Sequence, residues 1–323
     1  MNISSPLHFI ARHPIGMILT GFLGGTLLPD LASLLNPFIL PILMGVVFLS
    51  FLKLDLAPLW AELKDWRRQA FLFLISMAII PLAVFLAAKA SIHLFALDPA
   101  HLPAALLLFS CPTSSLATTL SLLFDGRFER TVANMLFTLS LAPLTLPLTM
   151  SLLLGETVGL SYAHMTQTLL LLLFIPAIAA LAAKRFRSNG VSFLTRFSYP
   201  ISLILLVFVV IGALKGFLQV ALDHPANVFK TLIFSSFLMV MTFSLGYALG
   251  RGNPRDRMTL AIISAWPNLG LSIGLAHTFF KDSWPYATIC LAVMVIPWYL
   301  TIFMAKFTSE KITERERVAG VEG

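Results

Sequence analysis

The strongest constraint on this chain is where its charges are missing. Ten apolar runs, at approximately 10–29, 36–52, 70–88, 102–124, 131–154, 163–183, 197–215, 229–249, 258–280 and 284–306, contain no Asp or Glu. Each is close to the roughly 20 residues that a helix needs to cross a bilayer. Only 11% of the 323 residues are charged and 58% are hydrophobic, whereas soluble domains carry about 25% charged residues. Such a chain lacks the polar surface to face water all round. It reads as an all-α polytopic membrane protein with ten transmembrane helices.

The remaining charges support that count. Of the 22 Lys and Arg residues, 18 fall on one side of the ten runs and 4 on the other. Cytoplasmic loops carry the excess of Lys and Arg, so the expectation is a plasma (inner) membrane protein with both termini in the cytoplasm. The net charge of +7 then reflects topology, and no nucleic-acid partner is needed to explain it. The run after Arg12 lacks a small-residue cleavage site and nine more runs follow it, so it reads as the first span.

Several function classes find little support. Cys111 and Cys290 both lie in apolar runs and suggest neither a disulfide framework nor a metal site. No HExxH or Walker motif occurs, hence no ATP-binding domain is expected in this chain. Gly270-Leu271-Ser272-Ile273-Gly274 matches the nucleophile elbow of hydrolases. That motif requires a preceding strand and an acid partner, and neither fits here. Gly270 and Gly274 read better as a helix-packing face, as do Gly21 with Gly25 and Gly246 with Gly250. The chain is not expected to be an enzyme.

Ten spans divide into two sets of five, and five is odd, so the second set starts on the opposite side of the membrane. That is the condition for an inverted-topology repeat. The expected division is residues 1–158, residues 159–307 and a polar cytoplasmic tail over 308–323, read as disordered. Pro112 in span 4 is matched by Pro267 in span 9, 155 residues later, and Pro143 in span 5 by Pro297 in span 10, 154 residues later.

Spans 4 and 9 are the unusual ones. A mid-span proline removes an N–H and frees the carbonyl four residues earlier, and irregular backbone survives in hydrocarbon only where protein or water satisfies it. Polar residues gather at both places: Thr113, Ser114 and Ser115 beside Pro112, and Ser264, Asn268 and Ser272 around Pro267. Two broken helices at corresponding positions, each pointing a positive N-terminal end at mid-membrane, suit a carboxylate or sulfate group. Pro112, Thr113, Ser114, Ser115, Pro267 and Asn268 are the substrate-binding candidates. Thr118, Asn134, Thr138, Ser264 and Ser76 are the ion-binding candidates. A lone polar residue such as Ser76 also serves as hydrogen-bonding glue between helices.

The stretch SCPTSSLATTLSLLFDGRFERTVANMLFTLSLAPLTLP resembles the bile acid:sodium symporter superfamily, in which a Cys-Pro and a small, polar run open a broken fourth helix. TLAIISAWPNLGLSIGLAHTFF resembles that family's second broken helix, and FLKLDLAPLWAELKDWRRQAFLFLISMAIIPLAVFLAA its second loop and third span. The resemblance implies ten spans as two inverted five-helix repeats, a panel domain, and a core domain with broken crossing helices. It also implies secondary transport of a small organic anion, bile-acid-like, a keto acid or similar, by alternating access. Membrane lipids are the other expected partners.

The departures concern sodium. The resemblance places Ile263 where the family carries a carboxylate, Pro267 at a Gln, Ala117 and Thr118 at a Ser-Asn pair, and Ser76 at a third-span Gln. Asn268 matches. A midplane cation site gains much from a carboxylate, and this chain has none in its spans. No cofactor is expected, and coupling to Na+ is expected to be weak, altered or absent. The alternatives are an arsenite or oxyanion exporter of the same superfamily, and a non-transporting membrane receptor or sensor on this scaffold.

Overall fold

The computed structural model describes residues 14–53, 64–155, 161–185, 189–280, 290–291, 293–294 and 296–318. Residues 10–13 of the first expected span and 284–289, 292 and 295 of the tenth lie outside them. Among the described residues the chain is helical and forms no strand, apart from one isolated bridge considered below. It runs through α1 (Pro14–Leu27), α2 (Pro29–Leu35), α3 (Ile39–Lys53), α4 (Trp66–Leu74), α5 (Ile80–Phe95), α6 (His101–Ser110), α7 (Ser115–Leu123) and α8 (Phe128–Leu154). The remainder comprises α9 (Tyr162–Arg185), α10 (Asn189–Ala213), α11 (Phe217–Asp223), α12 (Pro225–Leu249), α13 (Pro254–Ala265), α14 (Leu269–Phe279) and α15 (Trp298–Val318).

Helix starts follow local chemistry. Asp65 caps α4 by accepting from the Arg68 N–H at 3.3 Å. Asn253 caps α13, accepting from the Asp256 N–H at 2.9 Å, with Pro254 in the first turn; proline suits that position because its missing N–H has no partner there in any case. Between α4 and α5 a π-helical turn spans Ile75–Ile79.

Among the described residues, six stretches are long and apolar enough to cross a membrane: Pro29–Lys53, Trp66–Phe95, α8, α9, Gly190–Ala213 and α12. Shorter apolar helices include α6 and α14, each of which ends or begins beside one of the proline breaks. The chain is a multi-pass membrane protein.

Two compact units divide the described helices, and each draws on both sequence halves. The first comprises residues 1–55, 156–228 and 270–292. Within it α10 packs on α1, α2 and α3. Gly21 and Gly25 allow the close approach of α1: a Cβ on Gly25 would lie 2.8 Å from Leu214 Cβ. Leu49, Leu52 and Ala180 form a small apolar core between α3 and α9.

The second unit comprises residues 56–155, 229–269 and 293–323. Here α12 lies against α13 through Gly246 and Gly250. A Cβ on Gly246 would meet the Leu260 carbonyl at 2.8 Å, and one on Gly250 the Arg257 Cα at 2.6 Å. Both GxxxG spacings therefore mark close helix contacts, as the sequence suggested.

Two expectations need correction. The tail is not disordered over its first half, because α15 continues to Val318. Ala305 and Ile312, seven residues apart, are buried, and Ser309 donates to the Asp125 carboxylate. Composition missed this because an i, i+7 stripe needs few apolar residues. The pair Pro143 and Pro297 also differ: Pro143 lies inside α8, whereas Pro297 lies in a turn leading into α15.

Candidate functional site

The site is built from two helix interruptions in the second unit. The helix α6 stops at Ser110, and Cys111 is extended (φ −71°, ψ 149°). A residue before proline is pushed out of the helical region, so Pro112 sets this boundary. Three residues on, Ser114 is again extended (φ −78°, ψ 159°), and its hydroxyl caps α7 by accepting from the Ala117 N–H at 3.2 Å. The other break has the same cause. Trp266, before Pro267, leaves the helical region (φ −121°, ψ 67°) and ends α13.

The two breaks pair with each other. Thr113 and Pro267 form an isolated antiparallel bridge. The Ser114 N–H donates to the Trp266 carbonyl at 3.0 Å, and the Asn268 N–H donates to the Pro112 carbonyl at 2.7 Å. In this pattern the directly opposed residues use neither of their own N–H groups for the pair. Pro267 occupies such a position, so its missing donor costs nothing there. Pro112 occupies an acceptor position and contributes only its carbonyl. Backbone groups that would each cost several kcal/mol unpaired in hydrocarbon thus satisfy one another across 154 residues of sequence.

A third helix holds the crossing. Asn134 of α8 is fully buried, and its amide nitrogen donates to the Thr113 hydroxyl at 3.0 Å. Thr138, one turn later, turns its hydroxyl back onto the Asn134 carbonyl at 2.7 Å.

The remaining candidates are placed as follows. Ser115 is exposed at the first position of α7, and Thr118 is half-buried with its hydroxyl donating to the Ser115 carbonyl at 2.7 Å. Asn268 is half-buried, while Pro112 and Pro267 are buried. Ser264 is buried, on the side of α13 that meets Gly246. Ser76 is buried in the π-helical turn and donates to the Phe73 carbonyl at 3.4 Å, a bond within its own helix. Ser272 is buried in α14, in the first unit.

Around the crossing, four buried polar atoms have no hydrogen-bond partner among the described residues: Ser110 Oγ, Asn134 Oδ1, Ser264 Oγ and Trp266 Nε1. Buried polar atoms are ordinarily bonded, and each exception calls for a reason. Together they form a neutral set containing a pure acceptor, a pure donor and two hydroxyls. Ser110 and Trp266 were not among the candidates. Trp266 has no exposed surface and packs edge-on to Phe243 at 6.2 Å. Its sequence signal was its position directly before Pro267, which an apolar-run reading treats as mere hydrophobicity. No group of three or more His, Cys, Asp or Glu side chains suited to a metal occurs among the described residues.

The sodium bile acid symporter family model matches residues 40–222, more than half of the chain. That stretch includes the break at Pro112 and Asn134 and ends before the break at Pro267. No curated protein matches the sequence. A multi-pass helical chain with a hydroxyl-rich break in its matched region agrees with that result: the chain belongs to the sodium bile acid symporter family, a family of transporters rather than enzymes.

Proposed function

We propose that this protein is a secondary transporter that moves a small organic anion by alternating access, on ten spans arranged as two inverted five-span repeats. The observation that carries the reading is the reciprocal pairing of the two proline breaks, Ser114 N–H to Trp266 and Asn268 N–H to Pro112. This pairing holds the start of α7 beside the backbone of Pro267 and Asn268 in the second unit. Helix starts present positive partial charge and N–H donors to an anion. Ser114 spends its oxygen lone pair on the Ala117 N–H, which leaves its own proton available to donate. Ser115 lies exposed at the same helix start, and Asn268 supplies a side-chain amide across the crossing.

Sodium coupling is weak, altered or absent in this reading. The residue at the family's ninth-span carboxylate position is Ile263, which is buried. The neutral atoms around Asn134 and Ser264 would have to hold a cation without a counter-charge, in a setting where charge is costly. The orientation that accompanies the proposal places the Lys- and Arg-rich loops and both termini in the cytoplasm, in the plasma membrane.

Uptake of a panel of labelled organic anions into proteoliposomes, with and without a sodium gradient, tests both statements. At least one anion should accumulate, with less than a twofold response to sodium. Steep sodium dependence that persists in Ile263→Ala would overturn the coupling argument. Tight binding with no translocation of any anion would favour a receptor, and arsenite efflux in place of organic-anion uptake would favour the oxyanion exporter.

A further inference from the structure

The second unit has another polar concavity, away from the crossing. A cavity of about 380 Å3 lies where the starts of α4 and α8 meet the loop joining α12 to α13. Four guanidinium groups line it, from Arg67, Arg68, Arg130 and Arg251, along with two carboxylates, from Asp65 and Asp256.

Both carboxylates are already committed. Asp65 pairs with Arg68 at 3.1 Å and also caps α4. Asp256 pairs with Arg130, lies 3.5 Å from Arg127, and sits in the first turn of α13, where it offsets that helix's positive end. Arg67 and Arg251 have no ion-pair partner among the described residues. The cavity therefore has a surplus of two positive charges on these two side chains.

Each of the two also lies near an aromatic ring. Arg251 lies over Phe71 at 4.9 Å, and Arg67 over Trp66 at 5.7 Å, measured to the ring centroids. An aromatic neighbour attracts a guanidinium without consuming its N–H donors. The loop carrying Arg251 is fixed as well: Gly252 has φ +95°, and a Cβ there would lie 2.7 Å from the Asp256 carboxylate. Positive-inside topology needs only net charge at this end of the helices. It does not require two guanidiniums near aromatic rings, with no ion-pair partner among the described residues, around one concavity.

We propose that this cavity is a binding site for a phosphate group, held by Arg67 and Arg251 through paired N–H···O bonds. Planar guanidinium forks match the oxygens of a phosphate, and two surplus charges match a phosphate mono- or dianion. The group comes either from a phospholipid head at the membrane surface or from a soluble phosphate compound. Binding would brace α4, α8 and α13 against one another, and α8 and α13 both lead into the crossing.

The test is thermal unfolding of the full-length protein in two media. In neutral detergent, inorganic phosphate is compared with chloride at equal ionic strength. In nanodiscs, phosphatidylcholine alone is compared with added phosphatidylglycerol and, at the same charge density, with added oleate, which lacks phosphate. The expected result is a Tm raised by several degrees by at least one phosphate source and not by chloride or oleate, because a ligand of the folded state stabilises it by mass action. The rise should vanish in the double variant Arg67→Ala, Arg251→Ala and persist in Arg196→Ala of the first unit. The double variant Arg67→Lys, Arg251→Lys keeps the charge without the fork and should weaken the apparent affinity at least tenfold, which separates recognition from a folding defect. A rise with inorganic phosphate alone assigns the soluble source, and one with phosphatidylglycerol alone the lipid head. No rise with either source, an equal rise with oleate, or a rise retained in the alanine variant overturns the proposal. None of these readouts depends on transport.

Discussion

Prolines in this protein have different outcomes, and the contrast between those that break a helix and those that do not explains the site. Pro112 and Pro267 end helices, whereas Pro143 and Pro147 sit inside α8, which continues unbroken from Phe128 to Leu154. All four remove an N–H and crowd a carbonyl four residues earlier. What differs is the alternative available to the backbone. After Pro112 comes Ser114, which caps a new helix, and the neighbouring carbonyls and N–H groups find partners in the other break. After Pro143 comes Leu144, exposed and apolar, and the nearest hydroxyl, Thr145, bonds back within the helix to Leu141 at 3.2 Å. A third outcome lies before Pro81, where the chain widens into a π-helical turn at Ile75–Ile79 that includes Met77, four residues before the proline. Extra backbone in that turn relieves the clash without ending the helix. A membrane proline thus breaks a helix where a cap and a second irregular segment are ready to receive the freed groups.

Three substitutions probe this contrast, in decreasing order of effect. Asn134→Leu should have the largest. It removes the bond to Thr113 and introduces an apolar group where the crossing is anchored, with an expected loss of about 1–3 kcal/mol in stability and a fall in uptake of roughly tenfold or more. Denaturant titration with transport assays on the same preparation would measure both, and near-native values for both would mean that α8 does not hold the crossing. Ser114→Ala removes the cap of α7 and should cost about 1 kcal/mol, whereas Ser114→Asn, which retains a capping oxygen without adding charge, should recover most of that stability. Equal stability of the alanine variant and the parent would show that the paired backbone alone maintains the break. Pro143→Ala should have the smallest effect on uptake, within about twofold of the parent, because α8 already runs unbroken through this position. A strong defect there would place Pro143 with the breaking prolines.

Much of the crossing was legible along the chain. Pro112 with its hydroxyls, and Pro267 with Asn268, mark both interruptions, because backbone restriction before proline and capping by serine act over a few residues. The role of Asn134 was visible only as a polar residue on an apolar helix. Its partner, Thr113, lies 21 residues away, and spacing alone names no partner at that range. Thr138 shows the limit of face arguments: it shares a helix face with Asn134, yet its hydroxyl is occupied by its own backbone. Ser76 and Thr118 likewise spend their hydroxyls locally. Trp266 was missed because its apolar ring accounts for its burial, while its unpartnered indole N–H becomes evident only once its surroundings are placed.

By itself the sequence determined the solvent and the punctuation of this protein. Apolar runs of bilayer length without a carboxylate require a membrane, and prolines followed by hydroxyls locate the breaks, since both effects depend on a residue and its immediate neighbours. The tertiary structure decided the register of the crossing, with Thr113 rather than Pro112 opposite Pro267. It also decided the interleaved composition of the two units and the helical course of the tail. Those features depend on which distant backbone groups remain unpaired after local structure forms, and on which surfaces can bury them together.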